Sequence, residues 1–148
     1  ALVSPVAAQE ISPFVSGSLE EIAAARQGKP FILSLWSLTC THCREELSLL
    51  SGMVKKYPNL DLVLVATDTP EEAEAIGATL RQSGLGGAEA WVFADPFTER
   101  LRFEVDRKWH GELPRTYLYD PSHKAQAFSG KPDALQIEQW LKKYFARR

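Results

Sequence analysis

Short apolar runs and longer stripes of helical period take turns along the 148 residues. The run 31–36 is apolar except for Ser34, and 60–66 is a second such run. Segments this short predict strands buried on both faces of a sheet. Before the first run, Leu19, Ile22 and Ala23 form a stripe that Ser18 and Glu21 open as a capping box and that Gly28 and Pro30 end. Between the two runs, Leu47, Leu50 and Val54 recur at helical spacing until Pro58-Asn59 stops them.

The same alternation continues. A helix is expected over 70–83, with Glu71, Glu72 and Glu74 in its first turn, and Gly84-Leu85-Gly86-Gly87 breaks it. A strand at 91–94 is followed by a helix from Asp95-Pro96 to about Val105. Strands at 116–119 and 125–128 flank the turn Asp120-Pro121-Ser122-His123. Asp133 caps a last helix carrying Leu135, Ile137, Trp140, Leu141 and Tyr144. The expected order is α-β-α-β-α-β-α-β-β-α. Strands alternating with helices are parallel, and the final hairpin is antiparallel. That predicts one α/β domain over 16–148, with a mixed central sheet and helices on both faces, preceded by an extension over 1–15. The glycine-rich stretch follows a helix and not a strand, so it is a loop and not a phosphate cradle.

Composition narrows the function classes. A net charge of −2 supplies no basic field for nucleic acid or for an anionic membrane surface. No apolar run approaches the ~18–20 residues that span a bilayer. The start, 1–8, is rich in small residues. It fits the end left by a removed signal or membrane anchor, and equally a plain extension.

The two cysteines, Cys40 and Cys43, are spaced C-x-x-C. A bridge closing so small a loop removes little unfolded-chain entropy, which favours a chemical role over a structural one. Zinc would want a second pair of ligands, and a c-type haem would want His where Arg44 stands. Neither metal nor organic cofactor is required. Cys40 falls where a buried strand gives way to a helix, and the positive helix end stabilises a thiolate there. Cys43 lies one turn on, placed to close the ring. The spacing therefore predicts an exposed attacking sulfur and a more buried resolving one.

Trp36-Ser37-Leu38-Thr39-Cys40-Thr41-His42-Cys43-Arg44 resembles the W-x-x-x-C-x-x-C-R centre of thioredoxin-like proteins, in particular the extracytoplasmic TlpA/ResA type. Leu113-Pro114-Arg115-Thr116-Tyr117-Leu118 resembles that family's cis-proline segment, and Gly130 the glycine closing the next hairpin. The resemblance implies a thioredoxin fold with a βα unit inserted before the cis-proline strand. It implies an enzyme, a protein thiol–disulfide oxidoreductase, acting outside the cytoplasm and compatible with a membrane tether. The implied partners are protein thiols and disulfides together with a redox protein. A monomer is expected, without nucleic acid. By the same resemblance Cys40, Cys43, His42 and Pro114 are catalytic, and Trp36, Leu113 and Arg115 meet the substrate. His42 either favours the Cys40 thiolate or is a plain solvated residue; Arg115 either faces the partner or is a surface charge.

Departures from the family pattern matter. Thioredoxin itself carries a buried Asp where this chain has Ser34, so that proton acceptor for Cys43 is missing. Asp68, Glu71 and Glu45 are the candidates to replace it. His110 and His123 are expected in solvent, and Trp91 and Trp140 in the core. Peroxiredoxins fit less well, since their P-x-x-x-T-x-x-C signature is absent. A rival reading from another class is a thioredoxin-like metal chaperone holding Cu(I) with Cys40, Cys43 and a histidine.

Overall fold

The computed structural model describes residues 9–145; the small-residue start 1–8, with the trace of processing considered for it, lies outside them. The elements are β1 (Ile11–Phe14), α1 (Ser18–Ala24), β2 (Phe31–Trp36), α2 (Cys43–Lys56), β3 (Leu62–Ala66), a 3-10 turn (Pro70–Glu72), α3 (Ala73–Gln82), β4 (Glu89–Phe93), α4 (Thr98–Val105), β5 (Arg115–Tyr119), β6 (Ala125–Ser129) and α5 (Ala134–Tyr144). They form one six-stranded sheet in the order β1-β4-β3-β2-β5-β6. The pairs β1–β4, β4–β3 and β3–β2 are parallel, whereas β2–β5 and β5–β6 are antiparallel. This is the mixed sheet that the alternation predicted.

One strand was not foreseen. Ile11–Phe14, expected as part of an extension, is the parallel edge partner of β4. Four residues are too few to show a period. Pro13, which cannot donate to a ladder, is tolerated because the strand lies at an edge. Phe14 secures it, buried and stacked on Phe93 with centroids 5.6 Å apart.

The period of two sorts the strand residues onto two faces. Ile32, Trp36, Leu62, Leu64, Ala90, Val92 and Leu118 meet Leu47 and Leu50 of α2, Ile76 and Leu80 of α3, and Ile137, Trp140 and Leu141 of α5. On the other face Phe31, Leu33, Leu35, Val63, Val65, Phe93 and Tyr117 meet Ile22 of α1 and Leu101 and Val105 of α4.

The start of α1 differs from expectation, whereas the cap of α5 is the expected one. Gly17, at φ 90°, is the cap of α1, and the Ser18 hydroxyl accepts from Val15 N–H at 2.9 Å instead of closing a box with Glu21. Asp133 caps α5 by accepting from Leu135 and Gln136 N–H. Leu135 itself is exposed: it lies two residues before Ile137, about 200° around the helix from the stripe Ile137, Trp140, Leu141 and Tyr144.

Candidate redox site

The C-terminal ends of parallel strands and the N-termini of the following helices converge at one edge of the sheet. β2 ends at Trp36, and the loop 37–42 carries the chain into α2. Three hydrogen bonds pin this loop. Thr67 N–H donates to the Trp36 carbonyl at 2.9 Å, Cys40 N–H to the Ser37 carbonyl at 3.3 Å, and Leu38 N–H to the Asp68 carboxylate at 3.2 Å. Cys40 and Cys43 are joined as a disulfide with Cα atoms 5.3 Å apart. Cys40 is partly exposed, whereas Cys43, the first residue of α2, is fully buried. That asymmetry suits an attacking and a resolving sulfur. His42 is exposed at the N-cap of α2.

One helical turn after Cys43, a polar cluster interrupts the apolar face. Ser34 of β2 and Thr116 of β5 are direct cross-strand partners. Both point at the α2 side, and both hydroxyls donate to Glu46 Oε1, at 2.5 and 2.6 Å. Glu46 follows Cys43 by three residues, one helical turn, and is 1% exposed. Its other oxygen, Oε2, is buried with no hydrogen-bond partner among the described residues. Burial pushes the Glu46 carboxyl up to about 7, although the two hydroxyls pull the other way.

Glu46, and not one of the candidates Asp68, Glu71 and Glu45, is the buried carboxyl one helical turn from Cys43. Glu45 and Glu71 are exposed. Asp68 is raised by burial, against the Leu38 N–H that favours its charge, but it is bound to the loop backbone. The sequence held a signal for Glu46. Cys43, Glu46, Leu47 and Leu50 share one buried stripe, so the carboxylate of Glu46 interrupts an apolar face. Opposite it stands Ser34, the one polar residue in an apolar strand. The carboxylate missing at Ser34 enters the same space from the helix.

Of the remaining predicted site residues, Trp36 and Leu113 belong to or pack against the same core cluster as Cys40 and Cys43. The peptide bond Leu113–Pro114 is cis, and Pro114 is buried. Leu113 is half-buried and packs against both core clusters. Trp36 is 1% exposed, part of the core and not of a binding surface. Arg115 does not reach outward either. It lies on the α1/α4 face of β5 with Tyr117, and its guanidinium is bonded to Asp106, Tyr117 and Ser129. His110 is exposed, but His123 is half-buried and its Nε2 lies 2.8 Å from the Arg26 carbonyl. Trp140 is core, whereas Trp91 is half-buried at the rim. Among the described residues no three His, Cys, Asp or Glu side chains come together to hold a metal ion, and no helix is long and apolar enough to cross a membrane.

No protein-family model and no curated protein sequence matches the chain. Solved structures do. A secreted Mycobacterium tuberculosis disulfide oxidoreductase homologous to Escherichia coli DsbE superposes with a TM-score of 0.65 at 19% identity, over 81% of this chain and 85% of that one. A thiol:disulfide interchange protein of the thioredoxin family from Chlorobium tepidum gives 0.63 at 16% identity, over 82% and 83%. An exposed lipoprotein thioredoxin from Streptococcus pneumoniae gives 0.55 at 18% identity, over 81% and 88%. At these identities the likeness establishes the fold, which is that of thioredoxin-family thiol:disulfide interchange proteins.

Proposed function

We propose that this thioredoxin-fold chain is a thiol–disulfide oxidoreductase of TlpA type that works outside the cytoplasm on protein partners. The observation that carries the reading is the Cys40–Cys43 disulfide at the start of α2, half-open on one sulfur and closed on the other, above a buried carboxyl poised near neutrality. Location outside the cytoplasm is supported by the stability of a disulfide there and by neighbours described as secreted or as an exposed lipoprotein.

In the reducing direction the Cys40 thiolate attacks one sulfur of a partner's disulfide. A Cys40–partner bond forms, and the partner's other sulfur leaves as a thiolate that takes up a proton. Cys43 then loses its proton to the Glu46 carboxylate and attacks the Cys40 sulfur. The Cys40–Cys43 bond closes, the second partner thiolate leaves, and two electrons have passed to the partner. Oxidation of a partner dithiol is the same sequence reversed. Glu46 suits the proton step because its affinity for a proton lies near working pH. The oxygen not occupied by Ser34 and Thr116 is Oε2, which has no hydrogen-bond partner among the described residues.

The partner's extended chain would lie along the segment before β5. The Pro114 carbonyl is already taken by Gly130 N–H at 2.8 Å, whereas the Leu113 N–H and C=O enter no hydrogen bond among the described residues. Those two groups are the ones offered to a partner strand.

Equilibration of the protein in glutathione buffers of graded potential, followed by acid quench and thiol counting, tests the reading. A single reversible two-electron transition supports it. Cysteines that stay oxidised across the range, or that bind Cu(I) tightly while catalysing no insulin reduction, would favour the metal-carrying alternative.

A further inference from the structure

The loop between α4 and β5 holds a polar network for which the sulfur chemistry has no use. Arg115 sends its fork to three segments at once: Nη2 donates to Asp106 Oδ2 at 2.7 Å, Nε to the Tyr117 hydroxyl at 2.9 Å, and Nη1 to Ser129 Oγ at 2.6 Å. The Tyr117 hydroxyl also donates to Asp106 Oδ2, at 2.9 Å. Ser129 passes the connection on, donating to Glu112 Oε1 at 2.9 Å. The other Glu112 oxygen accepts from His110 N–H at 3.1 Å, and the Glu112 carbonyl accepts from the Trp109 indole at 2.8 Å. The end of α4, the loop before β5 and the β5–β6 hairpin are thus tied into one body.

Leu113 stands in the middle of this network and takes no part in it. The residue before it is held by Trp109, His110 and Ser129, and the carbonyl after it by Gly130. Among the described residues its own N–H and C=O meet no hydrogen-bond partner. A loop that had to be ordered at the moment of docking would lose conformational entropy then; one already fixed does not. Arg115 has only 11% of its side chain exposed, so it acts through the loop and not by touching a partner.

We propose that Arg115 and Glu112 are positioning residues for partner docking, holding the Leu113 backbone where an extended peptide can pair with it beside Cys40. The inference rests on the exchange reading above and extends it to how a peptide substrate is told from any other disulfide. A planar fork with three partners is a task that lysine cannot take over.

Two disulfides separate docking from sulfur chemistry: a synthetic peptide closed by one disulfide, which has a backbone to pair, and dithiodipyridine, which has none. Reduced wild-type protein is compared with Arg115→Lys and with Glu112→Ala, the latter at an exposed residue whose loss leaves the core intact. Both variants should react with the peptide about five- to tenfold more slowly, an effect of one or two lost backbone hydrogen bonds. Their rates with dithiodipyridine and their reduction potentials should equal those of wild type. Equal slowing with both disulfides, or unchanged peptide rates, would overturn the positioning role. A wild-type protein inert toward both disulfides would instead contradict the exchange reading itself.

Discussion

Two carboxylates on opposite faces of β5 meet different fates. Glu46 and Asp106 each leave water and each accept from hydroxyl groups, Ser34 and Thr116 for the first and Tyr117 for the second. Asp106 also receives the Arg115 guanidinium and Lys108 N–H. Burial raises it, but those donors outweigh burial and hold its carboxyl below the usual carboxylate range. Glu46 has no cationic partner among the described residues and is lifted to about 7. The difference lies in depth and in partner together: Glu46 is 1% exposed and Asp106 has 21% of its side chain exposed, and a guanidinium makes a carboxylate a fixed strut, whereas neutral hydroxyls leave it free to take and release a proton. Architecture sits on one side of the strand and chemistry on the other.

The largest expected effect follows from removing the titrating member. A carboxyl lifted from 4.5 to about 7 costs the folded state about 3 kcal/mol where both states are ionised, at ~1.4 kcal/mol per pH unit. Between those values the folded chain holds more protons than the unfolded chain. Its stability contribution is therefore present below pH 4.5 and lost as pH rises through 7. Glu46→Gln should abolish that slope and stabilise the oxidised protein above pH 7 by up to ~3 kcal/mol, read from urea unfolding across pH. It should also slow ring closure by Cys43 about 10²-fold, as expected for loss of a general base. An unchanged slope would place the titration elsewhere.

The strut should behave in the opposite way. Asp106→Asn should cost about 1–2 kcal/mol at neutral pH, because it takes from a largely buried Arg115 the nearer of its two carboxylates, Glu112 lying 3.7 Å away. Asp106 contributes stability above its unfolded value of ~3.9 and loses it as pH falls through its lower folded value. The variant should flatten only the acid limb below about pH 4 and leave the Glu46 window intact. A change between pH 4.5 and 7 would mean that the two carboxylates are coupled across the strand.

The smallest effect belongs to His42, exposed at the helix start. A protonated ring there adds to the helix dipole in favour of the Cys40 thiolate. His42→Ala should raise the Cys40 pKa and lower the reduction potential together, by ~30 mV for each pKa unit. If ultraviolet thiolate titration and potential both stay put, His42 is a surface residue, and the chemistry rests on α2 and Glu46 alone.

Much of this was legible beforehand because periods and junctions are local. The buried runs fixed β2 and β3, and the C-x-x-C at their strand-to-helix junction located the sulfurs. What depends on the pairing of distant segments was not legible. Strand β1 is four residues long and contains Pro13, so it has no pattern of its own and exists only against β4. Arg115 looked outward until the register set it beside Tyr117 and opposite Ser129. Composition alone does not separate Glu46 from its neighbour Glu45; the helical stripe through Cys43, Leu47 and Leu50 does, by 100°.

The division of labour between the sulfurs is tested most directly by trapping. Cys43→Ala protein, reduced and mixed with a disulfide-bonded peptide, should accumulate a covalent mixed disulfide through Cys40, because the resolving thiol is gone. Cys40→Ala protein should accumulate none, since Cys43 is fully buried. Intact mass spectrometry reads both. Trapping by Cys43→Ala alone is the predicted result; equal trapping by the two variants, or trapping by Cys40→Ala alone, would contradict the account.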